Sequence, residues 1–415
     1  MLSRRITYYI KALCENFDIS LLCIKDAEHP HIEHYEKARI LRVPLKQGSL
    51  VQRAEQFERA VRRQLESEDY LVAHCFDFVS GRILADLKKQ LGYHLVFEAT
   101  TLSSLEWPHS QLECALSVEF LETMKSVETH AALRSNALIV ASQQQKNCLH
   151  SKAGLQLPIH VVPHPALPRK GIPRQPTSYF QFLHLGGSSQ LASLQTTLNA
   201  FKALPQELKI QLALGGHYDA KSKTHLAALK ESLDAKENVV WPSLKHETET
   251  RALCAQANAA LLVLEHEPRN LNFGGAMPEL ADFFTWELPI IASDLPCVRE
   301  FLSEEEALFF APGDDAMLAE RMKELAASPQ LQTRLGLASA QKADAFSPSK
   351  FMQETLRVYQ PWLDRQMHTS EQLLEPLPDI TPSRAKTTSH PFASFPSREQ
   401  DTIIVPPASL CPSPE

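Results

Sequence analysis

Two glycine turns and one short helix hold the residues of this sequence best placed to do chemistry. The stretch from Asn270 to Leu302, NLNFGGAMPELADFFTWELPIIASDLPCVREFL, reads as a glycine turn at Gly274-Gly275, an amphipathic helix, a buried strand and a second turn. Met277, Leu280, Ala281, Phe283, Phe284 and Leu288 recur at three- and four-residue spacings, so the helix is largely buried, with Glu279 and Asp282 as its polar members. A helix amino terminus opened by glycines presents free N–H groups and the positive end of the helix dipole, which together suit an anion. A second turn, Gly186-Gly187-Ser188-Ser189, leads from an apolar run into another helix, and its amides could hold a phosphate in the same way. Arg269 and His266 lie in the loop just ahead of the signature helix, and Lys245 and His246 in an earlier loop. Arg269 is the best-placed cation for a bound anion. Both turns also fit ordinary strand–helix connections.

The elements that must position these residues alternate in type along the chain. Strand-like runs at Phe17 to Ile24, Ala38 to Pro44, Leu71 to Cys75, His94 to Ala99, Ala137 to Ser142 and His160 to Pro165 are separated by helical stretches, including one from Ser110 to Ser135. A second set begins at Tyr179 to Gly187 and continues through Lys209 to Leu214, Val239 to Trp241, Ala259 to Leu264, Pro289 to Ala292 and Ala307 to Phe310. Short apolar β-rich runs between helices predict an α/β fold with parallel sheets. The reading gives a first domain over 1–165, a Pro-rich linker over 166–177, a second domain over 178–364 and a Pro/Ser-rich tail over 365–415. The tail is expected to be disordered, apart from one short docking segment such as Thr402-Ile403-Ile404-Val405.

Composition narrows the function classes. With 415 residues, 44% apolar and 22% charged, the chain is long enough for two globular domains. A net charge of −7 argues against a nucleic-acid partner held by bulk charge. The eight cysteines show no CxxC pair and no Cys/His ligand spacing, which predicts packed thiols and no metal centre. No apolar run approaches the ~20 residues of a membrane span, and no signal-peptide pattern opens the sequence, so a cytoplasmic protein is expected.

The signature helix resembles the donor-site motif of family 4 glycosyltransferases of the GT-B fold, in its form P-x-K-L-x-E-Y-M-A-x-G-x-P-V-I-A-S-D. Pro278, Leu280, Pro289, Ile290, Ile291, Ala292, Ser293 and Asp294 match that frame, and the resemblance extends over roughly residues 2 to 363. It implies two Rossmann-like domains facing a cleft, with the last helix crossing back to the first domain. It also implies metal-independent, retaining transfer from a nucleotide-diphosphate sugar, with no cofactor. The family's ribose-gripping Glu falls on Asp282, its partner eight residues earlier on Gly274, its Lys on Glu279 and the Gly after the helix on Glu287. The Arg and Lys that meet the diphosphate in the family fall on Gly187 and Ala192.

In the first half, LVAHCFDFVSG (Leu71 to Gly81) resembles the family's D-V-I-H-A-H-D-P-x-S-G, so that His74 is retained and the second His becomes Phe76. VFEATTL places Thr100 where the family's sugar-contacting His stands, with Glu106 and His109 nearby. VVPHPAL matches the family's V-I-P-N-G-V-D hinge, with His164-Pro165 for Asn-Gly. The resemblance thus implies catalytic roles for His74 and Thr100, and donor contacts from Asp282, Gly274, Gly275, Gly186, Gly187, Arg269 and Glu279. The acceptor, whether glycan, lipid or protein, is left open. A basic helix face at Arg53, Arg59, Arg62 and Arg63 allows peripheral membrane contact, although interleaved Glu55, Glu58 and Glu66 favour a solvated surface. The family's first strand and Gly-Gly turn have no counterpart ahead of the first helix, so either an upstream start or loss of that strand is expected. The competing reading is a catalytically inactive GT-B protein kept for binding, because four charged or imidazole groups of the family are replaced together.

Overall fold

The computed structural model describes residues 2–48, 50–110, 117–153, 156–169, 171–175, 177–187, 191–205, 207–217, 238–242, 247–275, 277–374 and 401–405. The first half runs through helix α1 (Leu2–Leu13), strands β1 (Asp18–Ile24), β2 (Ile32–Tyr35) and β3 (Ala38–Val43), then α2 (Leu50–Ser67), β4 (Tyr70–Cys75), α3 (Phe78–Leu91) and β5 (His94–Glu98). Helices α4 (Ser103–Ser110) and α5 (Val118–Arg134), strand β6 (Ala137–Val140), helix α6 (Gln143–Ala153) and strand β7 (Ile159–Val161) complete it. The single helix expected over 110–135 is therefore two helices, with 111–116 outside the described residues.

The second half contains β8 (Phe180–Gly187), α7 (Leu191–Lys202), β9 (Ile210–His217), β10 (Val239–Val240), α8 (Glu247–Gln256) and β11 (Ala259–Leu262). A π-helical turn (Arg269–Phe273) precedes α9 (Pro278–Thr285), β12 (Ile290–Ser293), the single turn α10 (Pro296–Arg299) and β13 (Ala307–Phe310). Helices α11 (Asp315–Ala327), α12 (Pro329–Lys342) and α13 (Pro348–Leu374) and strand β14 (Asp401–Val405) follow.

The strands form two sheets. The second is wholly parallel, in the order β10-β9-β8-β11-β12-β13. Its strands β11 and β12 are buried at every position, as their uninterrupted apolar runs require of a sheet covered on both faces. The first sheet has the order β2-β3-β1-β14-β4-β5-β6-β7, parallel throughout except for the β2–β3 hairpin. Helices α2, α3 and α5 pack on one of its faces, and α1 and α13 on the other. Asp77 caps α3 by accepting from the Ser80 amide, and Gly92 ends it at φ 78°.

Strand β14 is the unexpected element. It lies between β1 and β4 in the middle of the first sheet, pairing Ser20 with Ile403 on one side and His74 with Ile404 on the other. The segment of the tail expected to dock, Thr402 to Val405, is thus a paired strand of the first sheet. Helix α13 also continues to Leu374, into the region where the tail was expected to begin, and packs back on the first sheet. Residues 375–400 and 406–415 of the tail lie outside the described residues.

Candidate active site

The loops that follow the carboxyl ends of β5, β6 and β7 meet the loops that follow β11 and precede α9, which is where parallel α/β sheets hold their ligands. Several side chains cross this boundary. Gln145, fully buried, donates from Nε2 to the carbonyl of Thr100 at 2.8 Å and to the carbonyl of Gly274 at 2.9 Å, tying the end of β5 to the signature turn. Gln144 Nε2 donates to the Leu271 carbonyl at 3.0 Å. Glu300, from the second domain, accepts from the amides of Gln143 and Gln144 at 2.6 and 2.9 Å, so it answers the positive end of α6.

Asp282 lies in α9 and is 2% exposed. Arg4, in the first turn of α1, grips it with its two terminal guanidinium nitrogens, Nη1 to Oδ1 at 2.9 Å and Nη2 to Oδ2 at 3.1 Å. The amide of Leu167 in the hinge donates to the same Oδ1 at 2.8 Å, and Arg4 Nη1 also reaches the Pro165 carbonyl at 3.1 Å. Burial pushes the Asp282 carboxyl up, and the charge of Arg4 and the Leu167 amide pull against that rise. The residue at the family's ribose position therefore faces the other domain but is held there by an arginine.

Gly274 ends the π-helical turn at φ 89°, ψ 113°, its amide closing back on the Arg269 carbonyl at 2.9 Å. That conformation suits glycine and strains any residue with a Cβ, so the family's first Glu is incompatible with this backbone. At Gly275 a Cβ would lie 2.7 Å from Asn270 Oδ1, so a larger residue there would have to displace that side-chain oxygen. Glu279 is buried in the first turn of α9, where a negative charge suits the dipole. Gly186 and Gly187 are the last residues of β8, paired with Gly216 and His217; the turn beyond them, including Ser188 and Ser189, lies outside the described residues.

Arg269 reaches the cleft but is met by carboxylates from both sides. Its Nη1 lies 2.8 Å from Glu106 Oε2 of α4 in the first domain, and its Nε 2.8 Å from Glu267 Oε2. His109 Nδ1 is 3.4 Å from Glu267 Oε1, and His266 is exposed. Lys245 and His246 fall outside the described residues.

His74 and Thr100 belong to a buried network centred on Glu98, which is 1% exposed at the end of β5. Arg5 Nε lies 2.6 Å from Glu98 Oε1, the Tyr9 hydroxyl donates to Oε2 at 2.6 Å, and the Thr100 hydroxyl donates to Oε1 at 3.4 Å. His74 Nε2 stands 3.6 Å from Oε2, while its Nδ1 is 2.8 Å from the Tyr359 hydroxyl of α13 and its ring stacks on Phe76. Burial pushes the His74 imidazole down against the pull of Glu98, so the ring is neutral at pH 7. Burial alone would raise the Glu98 carboxyl; Arg5, His74 and Tyr9 outweigh it and bring it down to about 2. Both family-matched residues are thus at the cleft end of the first sheet, His74 beneath its surface and Thr100 beside Gln145.

Sequence reading missed Arg4, Gln145 and Glu300. None belongs to a motif, and each makes its contact across the cleft with a residue more than a hundred positions away. The one signal was two adjacent arginines in a helix first turn that holds no acid, an arrangement the dipole disfavours unless carboxylates answer it. Among the described residues no group of three or more His, Cys, Asp or Glu side chains is arranged to hold a metal ion, and no helix is long and apolar enough to cross a membrane.

Residues 172–342, which include every strand of the second sheet, match the family described as Glycosyl transferases group 1. Among curated proteins, none matches the chain in sequence. Among solved structures, sucrose-phosphate synthase from Thermosynechococcus elongatus superposes with a TM-score of 0.69 at 17% identity, covering 89% of this chain and 92% of that one. HepE from Anabaena, in complex with UDP and glucose, gives 0.65 at 14% identity over 86% and 95% of the two chains. A glycosyltransferase from Rickettsia africae gives 0.56 at 11% identity over 87% and 94%. The architecture is that of the GT-B glycosyltransferases.

Proposed function

We propose, on the premise that this chain has the GT-B fold and a glycosyl transferases group 1 domain, that it transfers a sugar from a nucleoside-diphosphate donor to an acceptor hydroxyl with retention, in the cleft between its two sheets. The observation that carries this reading is the carboxylate of Asp282, at the family's ribose position and turned toward the opposite domain. A carboxylate there accepts from two vicinal ribose hydroxyls once Arg4 lets go. The Gly274-Gly275 turn brings backbone without side chains of its own to the cleft. Beside it, the Thr100 hydroxyl can orient a sugar hydroxyl, with Gln145 holding the Thr100 and Gly274 backbones in fixed relation. HepE, solved with UDP and glucose and with UDP-glucose, makes a uridine donor the first to try.

Proton NMR of the protein with UDP-, GDP- and ADP-sugars tests this. Release or transfer of the sugar with the donor's own α configuration in the first-formed product is expected. A β-configured first product would refute retention. No turnover of any donor, with any acceptor class, would favour an inactive binding protein.

A further inference from the structure

We infer that Arg4 is the cation that receives the donor diphosphate, standing in from the first domain for the two cations that the second domain lacks. This rests on the donor reading above and adds to it a residue outside the family's motif.

The first turn of α1 carries Arg4 and Arg5 and no acidic residue, so two guanidinium groups stem from the positive end of a helix dipole. Arg5 is held within the first domain, although its Nε, like that of Arg4, makes no hydrogen bond among the described residues. Its Nη1 donates to the carbonyls of Val162 and Pro163, its Nη2 to the Tyr9 hydroxyl, and its Nε lies against Glu98. Arg4 is engaged differently: both Nη groups sit on Asp282, while its buried Nε lacks a hydrogen-bond acceptor, with the partly exposed Glu247 carboxylate 3.5 Å away. Beside it His164, next to the Pro165 whose carbonyl Arg4 also reaches, has a buried Nε2 without a hydrogen-bond partner among the described residues. Burial, with the charges of Arg5 and Arg4 close by, keeps that imidazole neutral.

Arg4 thus carries an unsatisfied donor nitrogen beside the carboxylate that a ribose would claim. When ribose hydroxyls take Asp282, Arg4 loses its anion while standing beside the sugar whose 5′ oxygen bears the diphosphate. A guanidinium forks onto phosphate as readily as onto carboxylate, so the donor supplies a replacement anion on the spot. The Asp282 contact is then a placeholder that keeps Arg4 aimed into the cleft while the site is empty. Arg269 is a poorer candidate, because Glu106 and Glu267 already surround it with negative charge that repels a diphosphate.

The test is the ratio of UDP to uridine affinity, measured calorimetrically for the full-length protein, Arg4→Gln, Arg4→Lys and Asp282→Asn. The unsubstituted protein is expected to bind UDP more tightly than uridine. Arg4→Gln should cut that preference at least tenfold by weakening UDP, with uridine unchanged or tighter because Asp282 is released. Arg4→Lys, which keeps the charge, should retain most of the preference. Asp282→Asn should weaken uridine yet leave the preference intact or larger, a result that does not depend on Arg4→Gln folding. A preference preserved in Arg4→Gln, or one that collapses in Arg269→Gln instead, overturns the assignment while leaving the donor reading standing. If neither UDP nor uridine binds the unsubstituted protein, the donor reading fails and the assignment fails with it.

Discussion

Replacing Glu98 by glutamine isolates the charge at the centre of the first domain's network. Glutamine keeps the shape of the side chain but leaves the Arg5 guanidinium without a counter-charge in a site where both residues are essentially inaccessible. Removing one partner of such a buried pair costs about 3–5 kcal/mol. The pH dependence gives an independent figure. A carboxyl brought from 4.5 to about 2 is stabilised in its ionised form by roughly 3 kcal/mol, at about 1.4 kcal/mol per unit. Because the folded value is the depressed one, this stability is fully present above pH ~4.5 and is lost as pH falls through about 2. Urea unfolding followed by tryptophan emission, run in parallel on the natural and Glu98→Gln proteins from pH 7 to pH 2, should show a gap of about 3 kcal/mol that narrows below pH ~4.5. Other carboxylates titrate in both proteins and cancel in the difference. A gap under about 1 kcal/mol at pH 7, or one that stays constant to pH 2, refutes the reasoning.

Two further substitutions probe the fold and the signature turn. Ile403→Pro removes a ladder donor from a strand paired on both sides and should cost about 1–3 kcal/mol for each partner left unmade, with faster hydrogen exchange at the amides of β1 and β4. Exchange as slow as in the natural protein would show that β14 does not pair with β1 and β4 in solution. Gly274→Ala forces a Cβ into a conformation at φ 89°, ψ 113° and to within 3.4 Å of Gln144, so thermal unfolding should report a loss of about 1–3 kcal/mol. An unchanged midpoint would mean that the turn relaxes freely.

Legibility in the sequence followed the range of the interactions concerned. Strands such as Ala137–Val140 and Ile290–Ser293 were plain because burial on both faces of a parallel sheet writes itself as a continuous apolar run. Strand β2 was missed because it is short and open to solvent, with Ile32 60% exposed, and shows no strong apolar pattern. Thr402 to Val405 was visible as a β-branched run able to dock, but its place between β1 and β4 depends on partners more than three hundred residues away. At Glu287 the family's glycine marks a real backbone demand, since the glutamate there adopts φ 56°. Asp282 and Gly274 stood out through the resemblance to the family motif, whereas the Arg4 that holds Asp282 lies 278 positions away. A side chain that acts only through a distant partner leaves no local pattern to read.

Calorimetric titration of the full-length protein with UDP, repeated on Asp282→Ala, tests the central claim most directly. Micromolar binding that weakens at least tenfold in Asp282→Ala is the predicted result, placing the nucleotide in the cleft between the two sheets. Absence of binding at millimolar UDP, GDP and ADP by protein that is demonstrably folded would contradict it.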